Sequence, residues 1–173
     1  MSLECQDFTG GLNTDGCRKS YGSLQTVYIA KHQDVVTVSG TTTGLIDAIT
    51  MSGSTYFYEF EPNHETSSFD ENGTSSNGGP TFEQIVTLEF NRNSRDTRNK
   101  ILMLGEYELM VIVKDFNDMY WLVGKVGKAR LRSAAGTSST TIGEYNKWTV
   151  ELAAMETDPT FEVSATLIDT IVS

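Results

Sequence analysis

The residues with chemical potential in this chain are mostly carboxylates. Glu59 with Glu61, and Glu83 with Glu89, alternate along two apolar stretches, and two carboxylates on a β scaffold are enough to hydrolyse a glycosidic bond. No row of aromatic residues for stacking a sugar accompanies them, so acids that solvate the outer face of a strand are the simpler account. His64-Glu65 opens like the helix of a zinc protease, but Ser68 stands where the second histidine belongs. Asp115, Asn117 and Asp118 suit a tight turn better than a calcium loop, which needs a longer ligand series closing on Glu. Gly124-Lys125-Val126-Gly127 has the glycines and lysine of a phosphate loop without its spacing, or the Ser or Thr after the lysine. Cys5, Cys17, His32 and His64 are not spaced as a zinc finger or ribbon. The expectation is therefore a protein that is not an enzyme, with no catalytic residue, no metal ligand and no cofactor.

The elements that would hold these residues are mainly strands. Period-two runs recur at 23–30, 34–39, 44–51, 54–61 and 81–90, the pattern of half-buried antiparallel strands. In 54–61 the alternation sets Tyr56, Tyr58 and Phe60 against Phe57, Glu59 and Glu61. In 81–90 it sets Phe82, Val86, Leu88 and Phe90 against Glu83, Ile85, Thr87 and Glu89. The period changes once: Ser94 is a good N-cap, Thr97, Ile101 and Leu104 fall at i, i+4 and i+7, and Gly105 supplies a stop. This predicts a helix over 94–104 with Arg95, Arg98 and Lys100 on its wetter side. Next, YELMVIVKD and MYWLVGKV flank Phe116-Asn117-Asp118 as a hairpin, and 128–132, 146–155 and 160–168 read as the last strands.

The predicted fold is mainly β, an antiparallel β-sandwich or flattened barrel with one principal flanking α-helix. The predicted core comprises Tyr28, Tyr58, Val86, Leu88, Ile101, Leu104, Val111, Val113, Trp121, Trp148 and Val150. Residues 1–173 read as a single domain, with 1–22 a flexible N-terminal arm and 63–80 a long polar loop. The stretch 133–143, rich in small residues, reads as flexible.

Size and charge narrow the function classes. A chain of 173 residues can bury a core without staples, and no apolar run approaches the roughly 18 residues of a membrane span. MSLECQDF lacks the basic and apolar regions of a secretory leader, so Cys5 and Cys17 are expected as free thiols rather than a bridge. The net charge of −10 argues against gripping nucleic acid, which takes Lys and Arg to displace counterions. Its distribution is uneven: 33–91 carry nine acids and no Lys or Arg, whereas 92–132 carry nine bases and five acids. Complementary patches of this kind favour head-to-tail association between copies; a mixed soluble surface is the other reading.

The order of elements, with an acidic β-rich first half, a capped helix at 94–104, the hairpin ELMVIVKDFNDMYWLVGK, a small-residue loop and the late stretch NKWTVELAAMETDPTFEV, resembles virion structural proteins of tailed phages. Within that group it is similar to tail tube (major tail) proteins. The resemblance implies a subunit without catalysis that forms homo-oligomeric, usually hexameric, rings. These stack into a conduit that DNA passes without specific binding, next to other virion proteins and no membrane. It also implies a location in the virion tail after assembly in the bacterial host cytoplasm. On that reading Glu59, Glu61, Glu83 and Glu89 are candidate lumen-facing residues, against the alternative that they keep an outer sheet face soluble. Arg95, Arg98 and Lys100, with Glu65, Asp70 and Glu71, are candidate inter-subunit residues, and 63–80 is the candidate arm between rings. A neck, ring or head-decoration protein, or a soluble carbohydrate-binding β-sandwich, are the alternatives.

Overall fold

The computed structural model describes residues 21–40, 42–144 and 146–173. Both cysteines, and the expected arm apart from Tyr21 and Gly22, lie outside the described residues. In chain order the elements are β1 (Leu24–Lys31), a 3-10 turn (His32–Asp34), β2 (Val35–Ser39), β3 (Leu45–Ile46), β4 (Ala48–Met51), β5 (Tyr58–Phe60), β6 (Ser68–Ser76) and β7 (Gly79–Asn91). There follow α1 (Arg95–Glu106), β8 (Leu109–Asp115), β9 (Tyr120–Val123), β10 (Arg130–Thr137), β11 (Lys147–Glu156), β12 (Phe161–Val163) and α2 (Ala165–Ile171). The fold is mainly β, with a flanking helix, as the periodicity predicts.

Two sheets face each other. One has six strands in the order β3-β12-β9-β8-β1-β5, the other four in the order β10-β11-β7-β6, and β2 and β4 pair as a separate ribbon. All pairings are antiparallel except β12 with β3. Between the sheets lie Val27, Ile29, Val111 and Val113 from one and Val86, Leu88, Val150 and Leu152 from the other, with Ile101 and Leu104 of α1. The six-stranded sheet is covered on its far face as well, where Tyr28, Met110, Ile112 and Leu122 pack with Phe57, Ile49 and Leu167, Ile168 and Ile171 of α2. Burial on both faces is why β8 reads Leu-Met-Val-Ile-Val without alternation.

Several expectations are corrected. Residues 63–80 are loop only up to 67: from Ser68 on, β6 and β7 form a hairpin around Asn77-Gly78, registered from Ser68↔Thr87 to Ser76↔Gly79. β6 is an edge strand, so its polar residues face water. The first half of the small-residue stretch, 133–137, likewise belongs to β10, which continues to Thr137 against β11. Stretch 44–51 splits into β3 and β4, which go to different sheets. The final stretch is strand only to Val163 and then becomes α2, because Leu167, Ile168 and Ile171 recur at helical spacing over the second core. Gly105 lies inside α1, which ends at Glu106; Ser94 caps it as expected, accepting the Thr97 N–H through its side chain.

The core prediction fails at Tyr58, which is 58% exposed, while its neighbour Phe57 is fully buried. β5 lies at the edge of its sheet, where the inner face is incompletely covered, and Phe57 points to the side that α2 closes. Trp121 and Trp148 are half-buried at the rim of the inter-sheet core, and the other eight predicted core residues are buried.

Candidate functional site

Among the described residues, no group of three or more His, Cys, Asp or Glu side chains could hold a metal ion. No described helix is long and apolar enough to cross a membrane. What the fold presents instead are two flanks and one open sheet face.

The first flank carries the β10 edge and α1. Thr97, Ile101 and Leu104 turn α1 inward, and a Cβ on Gly105 would meet the Leu131 side chain of β10 at 3.1 Å, so the helix lies along β10. At 100° per residue, Arg95, Arg98 and Leu102 then form a stripe at i, i+3 and i+7 on the β10 side. Lys100 and Met103 fall on the other side, where with Tyr58, Phe60 and Tyr107 they line a groove of about 400 Å³. The Arg98 guanidinium donates from Nε to the side-chain oxygen of Asn93 at 2.8 Å. Arg130 pairs with Glu108, which also pairs with Lys128, and hydrogen bonds from these two cations hold the Glu108 carboxyl below its usual range.

The second flank carries the β6 edge, where Asp70 and Glu71 stand and no Lys or Arg occurs from Ser68 to Ser76. Glu71 fastens this strand to the other sheet, accepting the Thr160 N–H at 2.7 Å and its hydroxyl at 2.6 Å just before β12. The Gln84 side chain donates to the same carboxylate at 3.3 Å and accepts the Gly124 N–H at 3.3 Å. Glu65 lies in the turn at 64–66, beside the N-terminal end of β1, where a ring nitrogen of His64 sits 3.1 Å from the Leu24 carbonyl oxygen. The predicted basic set and Asp70 and Glu71 of the acidic set thus occupy opposite flanks.

The open face belongs to the four-stranded sheet, whose inner residues Val86, Leu88, Val150 and Leu152 leave the alternate positions outside. Glu83 is there, bonded to Arg132 at 2.9 Å, and Arg132 also reaches Glu151 at 3.2 Å. Glu89 is there too, paired with Lys147 at 2.7 Å and only 6% exposed. Burial would raise the Glu89 pKa, but hydrogen bonds from Lys147, Thr66 and Asn63 outweigh it and hold the carboxyl below 4.5. Arg132, Lys147 and Glu151 escaped the sequence reading. Their signal was the alternation Lys147, Thr149, Glu151 opposite Trp148, Val150 and Leu152, and the absence of bases from 33–91 hid cations arriving from strands distant in sequence.

Glu59 and Glu61 do not join this face. Glu59 stands opposite Tyr28 of β1, on the side of the six-stranded sheet that α2 covers, where burial first and Glu59 second push the Tyr28 hydroxyl pKa up. Glu61 lies just past the end of β5 and is exposed. The four lumen candidates are therefore split between two faces, because β5 and β7 belong to different sheets.

No protein-family model matches the chain, and no curated protein matches its sequence. A solved structure described as the cryo-EM structure of the anti-feeding prophage cap (AFP tube terminating cap) aligns over 95% of this chain and 100% of that one, with 12% identity and a TM-score of 0.32. At that score and identity the likeness transfers neither an architecture nor a role.

Proposed function

We propose that the chain is a non-enzymatic structural subunit of a phage tail that closes side by side into a hexameric ring, with the four-stranded sheet turned to a central conduit. The carrying observation is that this sheet ends in two open edges of matching length, β6 with nine residues and β10 with eight. Four strands alternating in direction leave those edges antiparallel, so β6 of one copy can extend the sheet of the next at β10 with no change of pattern. The association is head-to-tail, the kind that closes into rings. The β6 edge carries Asp70 and Glu71 and no base, whereas the β10 edge carries Arg130 and Arg132 and no acid, so the two edges are opposite in charge.

The unequal sheets support the ring number. Four strands span about 19 Å and six about 29 Å in layers about 10 Å apart, a wedge of about one radian, so that roughly six copies close a circle. The inner layers then bound a bore on the order of 35 Å between backbones, room for a DNA duplex. Its lining holds four carboxylates, Asp70, Glu83, Glu89 and Glu151, against the three cations Arg130, Arg132 and Lys147. Arg132 and Lys147 are engaged by carboxylates of the same face, and Arg130 pairs with Glu108, so phosphate finds few free partners. In this arrangement Glu83 and Glu89 face the bore and Glu59 does not. The subunit would reside in the virion tail among other virion proteins.

Negative-stain microscopy of concentrated protein, with light scattering for mass, tests the reading. Six-membered rings or stacked tubes are expected. A monomer at every concentration, or rings whose bore is lined by the six-stranded sheet, overturns it.

A further inference from the structure

We propose that the outward ridge of α1, formed by Arg95, Arg98 and Leu102, is a docking surface for a second copy, seated on the flank where that copy carries Asp70 and Glu71. This rests on the ring reading above and deepens it, adding a second contact to the strand edges. Leu102 is 64% exposed and Met103 beside it 52%, which gives the ridge an apolar strip between its arginines and the groove over β5. Arg95 makes no ion pair among the described residues, and Arg98 spends one nitrogen on Asn93. Both guanidinium groups therefore keep donors pointing away from their own chain.

Two observations select the occupant. α1 runs along β10, one of the two edges at which the four-stranded sheet can be extended, so a copy that pairs there also meets the ridge. The flank it brings is the β6 side, whose charges are Asp70 and Glu71 and which has no base within the strand. Phe69, half-buried beside them, packs on the inter-sheet core from the same strand and supplies apolar area for Leu102. Charge complementarity sets the register, and the apolar strip supplies area removed from water.

Charge exchange tests this. One variant carries Arg95→Glu and Arg98→Glu, the other Asp70→Lys and Glu71→Lys, and thermal melts establish that each is folded. Each alone should need a concentration at least about tenfold higher to form rings at low salt, because like charges then meet across the interface. The penalty should shrink at high salt, where screening shortens the range of the repulsion. Mixed in equal amounts, the two variants should form rings again, because every contact in an alternating ring pairs opposite charges. Leu102→Asp provides a check that leaves β6 untouched, and it should weaken assembly at every salt concentration. If wild type forms rings and both the reversals and Leu102→Asp leave them unchanged, the ridge proposal is overturned while the ring reading stands. If wild type never associates, both fall.

Discussion

The strands of the six-stranded sheet are far richer in apolar residues than those of the four-stranded sheet, and the two sheets put them to different uses. The six-stranded sheet is buried on both faces, between the four-stranded sheet on one side and α2 with Ile49 on the other. The four-stranded sheet is buried on one face only, and its open face is laced by Glu83, Arg132 and Glu151 and by Glu89 with Lys147. The difference separates support from presentation. A sheet covered twice is held in place by packing, whereas a sheet covered once keeps a face and two edges available to other molecules. Its cations Arg132 and Lys147 are committed in advance to its own carboxylates.

Substitutions can break this contrast, and the largest effect is expected at the margin of the doubly covered sheet. Phe57→Ala should cost about 3–5 kcal/mol, the range for a buried phenylalanine, while Tyr58→Ala, one residue on and 58% exposed, should cost less than about 1 kcal/mol; urea unfolding measures both. The next comparison is across the sheets. Ile112→Ala, fully buried in β8, should lose about 2–5 kcal/mol. Ile85→Ala, half-buried on the open face, should lose about 1 kcal/mol, and equal losses would mean that the open face is covered after all.

Gly136 sharpens the contrast at the β10 edge. A Cβ there would stand 2.6 Å from the Trp148 ring, so Gly136→Ala must displace the indole, at about 1–3 kcal/mol and with a shift in tryptophan emission. Glu89 gives a pH-dependent effect. Its pKa is lowered on folding, so its contribution is fully present above 4.5 and is lost as pH falls through the lowered value. Glu89→Gln should therefore cost about 1–2 kcal/mol near neutrality, and the gap to wild type should close in acid; a gap independent of pH would assign the loss to packing. Smallest of all, Arg132→Ala should change stability by less than about 1 kcal/mol, since half of that side chain is in water.

Much of the scaffold was legible because its signals are local. Ser94, Thr97, Ile101 and Leu104 mark α1 within a dozen residues, and Phe116-Asn117-Asp118 marks the turn between β8 and β9, where Asp115 accepts the N–H groups of Asn117 and Met119. The β6–β7 hairpin was missed although Asn77-Gly78 is a strong turn signal. β6 carries only Phe69 on the core side, and a strand that buries almost nothing shows no hydrophobic period. The candidate surfaces were legible only in part: the basic set around α1 and the acidic set around 65–71 can be read from charge alone, but not the fact that they lie on opposite flanks.

The residue pattern by itself determined that this chain would be a β protein with a capped helix and an acidic surface, because periodicity, capping and composition act within a few residues of one another. Which strands become edges, which face stays open and which cation meets each carboxylate were decided only by tertiary pairing. Glu83 finds Arg132 across 49 positions and Glu89 finds Lys147 across 58, separations over which no local pattern carries information. The same pairing put Phe57 inside and Tyr58 outside, since the burial of a face depends on what the rest of the chain packs against it.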